Sequence, residues 1–305
     1  MISGGFLLLD KPSGITSFSS LAGIKKAFPG LRIGHTGTLD KFASGLMVVL
    51  AGDYSHLSPW FTGLDKVYEA EIEFGIETDT LDPEGEITGR LSAPDRDSLE
   101  SAIKGYTGHQ KQRPPEYSAI HVKGKRSYEL VRAGKQVELT ARDIEIYSIL
   151  LHDYKDNLAK MTVHCSSGTY IRALARDIAH ACGSLAYVKN LRRTRVGFFE
   201  LQKAIPSEYL PKHEDFCSLT PQIAESLGLK VGRVPFETEK AFIHGNPKAL
   251  SQLILAPEQR KFGDYKACSD VAIFSETSVF LGIVSISGGK LAYRKVMPIP
   301  GAAIV

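Results

Sequence analysis

The stretch KVYEAEIEFG, residues 66–75, is the strongest single constraint on the fold. Tyr68, Ala70, Ile72 and Phe74 alternate with Glu69, Glu71 and Glu73. Successive side chains of an extended strand point to opposite faces, so this period of two makes one apolar and one acidic side. The chain must therefore build a half-buried sheet with the apolar side on a core.

Other segments ask for helices. YIRALARDIAHACG sets Ile171, Leu174, Ala175, Ile178, Ala179 and Cys182 on one helical face, and Gly183 ends the run. It follows KMTVHCSSG, which alternates like a strand before turning through Ser-Ser-Gly-Thr. At the N-terminus FLLLD reads as a strand and KPSG as a turn, and TSFSSLAGIKKAF places Leu21, Ile24 and Phe28 at helical spacing behind Thr16 or Ser17 as cap. Residues 95–106 also read as helical, LMVVLA as a strand, TDTLDPEG as a plain loop and SLTPQIAESLGL as a helix. From about residue 232 the chain turns to short strands and glycine, with FLGIVSISGGKLAYRKVM as a hairpin. The expected class is α+β, with a large domain over 1–231, a turn-rich insertion at about 107–142, and a small β domain over 232–305.

Composition excludes several functions. Hydrophobic residues make up 43% and charged residues 23% of 305, which suits a soluble globular core. No apolar run approaches the roughly 20 residues that cross a bilayer, and MISGGFLLLDKPSG lacks a basic leader, so no membrane association is expected and the location should be cytoplasmic. The cysteines lie far apart without a C-x-x-C pair, and His164 and Cys165 should face opposite sides of a strand, so no metal is expected. With no phosphate-loop spacing either, no cofactor is expected. No extra docking tail is evident, so the chain should act as a monomer without an obligatory protein partner.

Net charge is only +3, but its distribution is uneven. Eight Lys or Arg face two Glu between Lys104 and Lys135, and KNLRRTRVG adds Lys189, Arg192, Arg193 and Arg195 without an acid. Two basic blocks in a nearly neutral chain suggest surfaces for a polyanion such as nucleic acid.

The stretch GHTGTLDKFASGL, residues 34–46, carries one acid, Asp40, on a glycine-rich loop that runs into LMVVLA. Asp40 is either a turn residue or a reacting group. Arg172 falls in the first turn of its helix, where the macrodipole disfavours a cation, and is easier to understand facing a phosphate or a carboxylate such as Asp40. Tyr68 and Tyr170 could be core residues or flat platforms for a base.

GHTGTLD (Gly34 to Asp40), Lys66-x-Tyr68, TDTLD (Thr78 to Asp82), PPEYSA (Pro114 to Ala119), CSSGTYIR (Cys165 to Arg172) and LRR (Leu191 to Arg193) occur in this order, with DKPSGITS (Asp10 to Ser17) before them. In order and spacing they resemble the bacterial tRNA pseudouridine-55 synthases of the TruB type, over about residues 5–200. The resemblance implies a mixed-sheet catalytic domain with an RNA-gripping insertion and a small PUA-like C-terminal domain. It implies an isomerase of uridine 55 in the T loop of tRNA, working by base flipping. Asp40 would be the nucleophile, paired with Arg172. Tyr68 would stack on the flipped uracil, Tyr170 and Leu191 would line the pocket, and His35 would sit in the RNA groove. The insertion, with Lys123, Lys125 and Arg126, would grip the T-arm stem-loop, and the loop glycines would let backbone approach RNA closely. Two departures stand out. Lys41 replaces the family's proline, which should loosen the loop. AGDYSHLSPW lacks the usual pattern, leaving His56 where a lysine is expected. The alternatives are an RNA-binding folding helper with weak or no catalysis and a guided synthase, which would need partner proteins.

Overall fold

A strand that alternates Tyr68, Ala70, Ile72 and Phe74 with three glutamates needs a neighbour on each edge and a cover on one face, and the computed structural model supplies both. It describes residues 4–118, 139–255 and 269–297, with 121–122, 124–127, 130, 134 and 137 between them. Lys66–Phe74 lies between Ala186–Val196 and Leu158–Cys165, antiparallel to each. Among the described residues ten strands form this mixed sheet, whose main path runs Ile205–Pro206, Gly4–Lys11, Ser44–Gly52, Ala186–Val196, Lys66–Phe74, Leu158–Cys165, Arg142–Lys155, Gly108–Gln112. Ala186–Val196 runs parallel to Ser44–Gly52, which brings Arg192 and Arg193 beside Ser44 and Gly45.

The apolar face of the sheet is covered by two helices, Arg96–Gly105 and Ile171–Ala181. Leu99 and Ile103 from the first, and Ile171, Leu174, Ala175, Ile178 and Ala179 from the second, join Tyr68, Ala70, Ile72 and Phe74 in one core. Asp95 caps the first helix by accepting from the Ser98 amide at 2.7 Å, and its carboxyl is held below the usual range by that bond. Near the N-terminus neither Thr16 nor Ser17 is the helix cap: the helix Ala22–Ala27 follows a 3-10 turn Ser19–Leu21 and is preceded by Leu21, while Thr16 accepts from the Ser19 amide at 3.0 Å in the turn before it.

The second sheet orders Ile254–Leu255, Lys230–Arg233, Ser269–Phe274, Phe280–Ser287 and Lys290–Val296. Its last two strands turn through Gly288 and Gly289 at φ 54° and 76°, a two-residue turn that needs left-handed backbone twice. This sheet shares a core with the first: Phe6, Leu50, Leu57, Phe61 and Phe199 pack with Ala272, Phe274, Phe280 and Ile283. The departing segment 51–60 lies at this junction. Asp53 pairs with Lys295 at 2.7 Å, the Tyr54 hydroxyl accepts from the Leu219 amide at 2.9 Å, and Arg294 lies over Trp60.

One expectation fails here. The basic run 189–195 does not form a free cationic surface. Lys189 pairs with Glu73, Arg192 with Asp10, Arg195 with Asp65, and Arg193 is buried. The acids arrive from strands remote in sequence, so counting charges along the run overstates its field. Arg195 also meets His164, while Cys165 is buried on the opposite face. Of the expected RNA-gripping residues, Lys123 lies outside the described residues. For Lys125 and Arg126 only the backbone is described, paired with His121–Val122.

Candidate active site

Asp40 lies on the turn between the strands Ile33–His35 and Ser44–Gly52. Ser17 fixes the approach: its hydroxyl donates to the Leu39 carbonyl and accepts from the Leu39 amide, both at 2.8 Å. Beyond Asp40, the Lys41 carbonyl accepts from the Gly14 amide at 2.8 Å and from the buried Lys11 ammonium at 3.4 Å. Lys11 also donates to Ile15 and Pro12, and burial brings its pKa down to about 8 against the raising effect of Asp40. The Lys41 ammonium reaches Glu84 at 2.7 Å. Both backbone bonds fall on the Lys41 carbonyl, which a proline at this position would present as well.

Arg172 organises the centre. It is 4% exposed and sits one residue inside the helix whose cap is Tyr170. Its Nη2 donates to Asp40 Oδ1 at 3.1 Å and to the Tyr117 carbonyl at 3.0 Å. Its Nη1 donates to the Thr80 carbonyl at 2.6 Å and to Asp82 Oδ2 at 3.1 Å. Nε lies 2.8 Å from Asp40 Oδ2 without the alignment of a hydrogen bond, so that contact is electrostatic. The two carboxylates differ in access. The Asp82 side chain is 8% exposed and also accepts from the Thr80 hydroxyl and the Glu84 amide, and burial pushes its pKa up. The Asp40 side chain is 37% exposed and faces a cleft. TDTLDPEG is thus more than a plain loop, since it delivers a second carboxylate to the arginine.

The cleft is about 500 Å³, walled by Tyr68, Tyr170 and Leu191, with Lys66, Arg142 and Arg193 among its polar lining. Burial pushes the Tyr68 phenol up, against the nearby Arg193 guanidinium. Gln112 sets Tyr170 by a reciprocal pair, accepting from its amide at 2.8 Å and donating to its carbonyl at 3.1 Å. Asp40, Tyr68, Tyr170, Arg172 and Leu191 come together as expected from the motifs. His35 does not line this cleft. It lies on the strand Ile33–His35 that leads into the Asp40 loop, where burial, Arg193 and Lys25 lower its pKa.

One loop glycine has an internal cause. A Cβ on Gly45, at φ 108°, would collide with the Arg193 backbone, whereas one on Gly37 would only touch Arg193 Nη1 at 3.4 Å, an ordinary contact. Arg193 itself donates to the Leu46 carbonyl at 2.7 Å and the Gly37 carbonyl at 3.0 Å. Only Gly34 of the loop glycines has nothing within 4 Å of that position.

Lys66, Asp82 and Arg193 lie in the motifs Lys66-x-Tyr68, TDTLD and LRR, but their residue types do not assign them a role, and Gln112 carries no such signal. One indirect signal exists for Asp82: a buried arginine has five donors, more than one carboxylate can take up. Lys66 is buried in the cleft wall, its ammonium held by the Thr62 carbonyl at 2.7 Å and the Leu64 carbonyl at 2.5 Å, and burial, then Arg193, brings its pKa to about 8. Unfolded, it would titrate at the ordinary 10.5. Between these values the unfolded chain binds more protons, so stability rises with pH, by up to about 1.4 kcal/mol per unit for each such lysine. From about pH 9 the buried Cys165 thiol, pushed up to about 12, opposes this rise, and above about pH 10 the raised tyrosines, Tyr68 among them, add to that opposition, because these groups resist ionisation only when folded. Urea midpoints should therefore climb from about pH 8 to 9. Lys66→Met should flatten that climb; an unchanged slope would show that Lys66 is not the source.

The TruB family pseudouridylate synthase (N terminal domain) matches residues 25–171. A protein named tRNA pseudouridine synthase B from Borreliella burgdorferi is 46% identical over 214 residues, covering 69% of this chain and 76% of that relative. One of the same name from Caulobacter vibrioides is 40% identical over 208 residues, covering 68% and 67%. Among solved structures, a chain from an H/ACA RNP bound to a substrate RNA containing 2′-deoxyuridine covers 97% of this chain and 86% of its own length, with a TM-score of 0.69 at 20% identity. At that identity the likeness is one of fold, and it agrees with the α+β class and a strand-rich, PUA-like C-terminal sheet.

Proposed function

The chain belongs to the TruB family of pseudouridylate synthases, and from that premise we propose that it isomerises uridine 55 in the T loop of tRNA, with Asp40 as nucleophile. Membership makes it an isomerase acting on tRNA. The reaction breaks the bond between uracil N1 and ribose C1′ and forms one from C5 to C1′; C5 loses a proton and N1 gains one, so no oxidant or reductant is consumed.

The observation that carries the reading is the difference between two carboxylates on one arginine. Asp82 has its acceptors taken up inside the protein, whereas Asp40 keeps an open side toward the cleft. A carboxylate that adds to a nucleotide must be exposed on one side and held on the other, as Arg172 holds it. Tyr68, Tyr170 and Leu191 line the cleft beside Asp40, and a base inside a folded loop reaches such a cleft only by leaving its stack. The folded T arm would be read mainly through shape and unpaired bases, by a protein acting as a monomer in the cytoplasm.

Mass-spectrometric mapping of an unmodified tRNA transcript incubated with the purified protein tests this. Pseudouridine should appear at position 55 without added cofactor. Conversion at another uridine would overturn the site, and tight binding without conversion would favour the folding helper.

A further inference from the structure

Phe18 is 71% exposed, yet Ser17 before it is buried and tied by both hydrogen bonds to Leu39, the neighbour of Asp40. Lys25, from the helix Ala22–Ala27, places Nζ 3.5 Å from the centroid of the Phe18 ring. The charge of Lys25 also reaches His35, where it helps lower the imidazole pKa. In front of Gly34, next to His35, a Cβ would meet no atom within 4 Å. Phe18 and Lys25 thus lie on the segment tied through Ser17 to Leu39 of the Asp40 loop, and neither they nor His35 line the cleft.

A lone exposed phenylalanine is ordinary. This one is paired with a cation and anchored one residue from the loop that carries the reactive carboxylate. Its near neighbours Thr16 and Ser19 are exposed and bonded to each other at 2.8 Å, so the surface is too polar for a broad apolar contact with a protein. A flat ring beside a cation suits a single-stranded nucleotide, with the base stacking on the ring and the phosphate meeting the ammonium. Flipping one nucleotide breaks the stacking of its neighbours, which then require a new surface.

We propose that Phe18 and Lys25 form a nucleotide subsite beside the cleft, which stacks an unpaired base next to the flipped uridine and contacts its phosphate. The subsite rests on the RNA-modifying reading above, but its test reads binding separately from conversion.

The full-length protein and its Phe18→Ala, Phe18→Tyr and Lys25→Gln variants are titrated with a T-arm stem-loop RNA at several salt concentrations, and single-turnover conversion is followed at saturating RNA. Phe18→Ala should weaken binding roughly 5- to 150-fold, the range for loss of one base–aromatic stack. Phe18→Tyr should stay within about twofold of wild type because the ring is retained. Lys25→Gln should weaken binding and make the log–log salt slope shallower by about 0.7, the value for one phosphate of a single strand. Saturating conversion should be unchanged in all three. A 2-aminopurine next to the target uridine should be quenched by the wild type and less so by Phe18→Ala. Wild-type affinity in Phe18→Ala, with wild-type conversion intact, overturns the subsite and leaves the enzyme reading standing. Phe18-dependent binding by a wild type that never converts supports the subsite and overturns the enzyme reading.

Discussion

Asp40→Asn is expected to reduce conversion of the T-loop uridine below detection, roughly 10⁴-fold or more, the scale on which loss of a covalent catalytic group is felt. The amide keeps the size of the carboxylate, and its oxygen can still accept from Arg172 Nη2, so the loop should keep its shape. It lacks the negative charge that makes a carboxylate oxygen a nucleophile. Asp82 cannot substitute, because it is buried and its oxygens are engaged by Thr80, Glu84 and Arg172. RNA affinity should hold or increase, since a negative charge near phosphates is removed. A binding titration and a tritium-release assay on the same T-arm RNA check both halves. Substantial residual isomerisation would rule out Asp40 as nucleophile.

The second large effect is expected at Arg172. Arg172→Lys retains one positive charge but cannot reach Asp40, Asp82 and the Thr80 and Tyr117 carbonyls together, since an ammonium lacks the planar fork. Two losses follow. Asp40 is no longer oriented, so single-turnover conversion should fall about 100-fold or more while RNA binding changes little. Asp82 loses the aligned guanidinium that satisfied it, so unfolding free energy should drop by up to about 3–5 kcal/mol, the cost when a buried pair is broken outright. Adding Asp82→Asn should recover part of the stability but not the conversion. If conversion and binding fall equally in Arg172→Lys, Arg172 acts on a phosphate instead.

Periodicity was a reliable guide wherever one face of an element meets the core. Residues 66–74 form the expected strand and 171–181 the expected helix, because alternation and the 3.6-residue stripe are each satisfied by a single neighbour-covered face. Charge was a poor guide. Arg192, Arg193 and Arg195 look like a surface for a polyanion until Asp10, Asp65 and the carbonyls of Leu46 and Gly37 are placed around them.

Sequence alone determined the α+β pattern and the lone acid at position 40, because those signals are written in residue type and local spacing, while Tyr68, Tyr170, Arg172 and Leu191 were singled out together by the resemblance of their motifs to a family. Only the tertiary structure decided which of two carboxylates on Arg172 stays open, why Gly45 must lack a side chain, and that segment 51–60 joins the two sheets. Each depends on atoms that long-range strand pairing brings within a few ångströms, and hydrogen bonds and buried charges are decided at that distance.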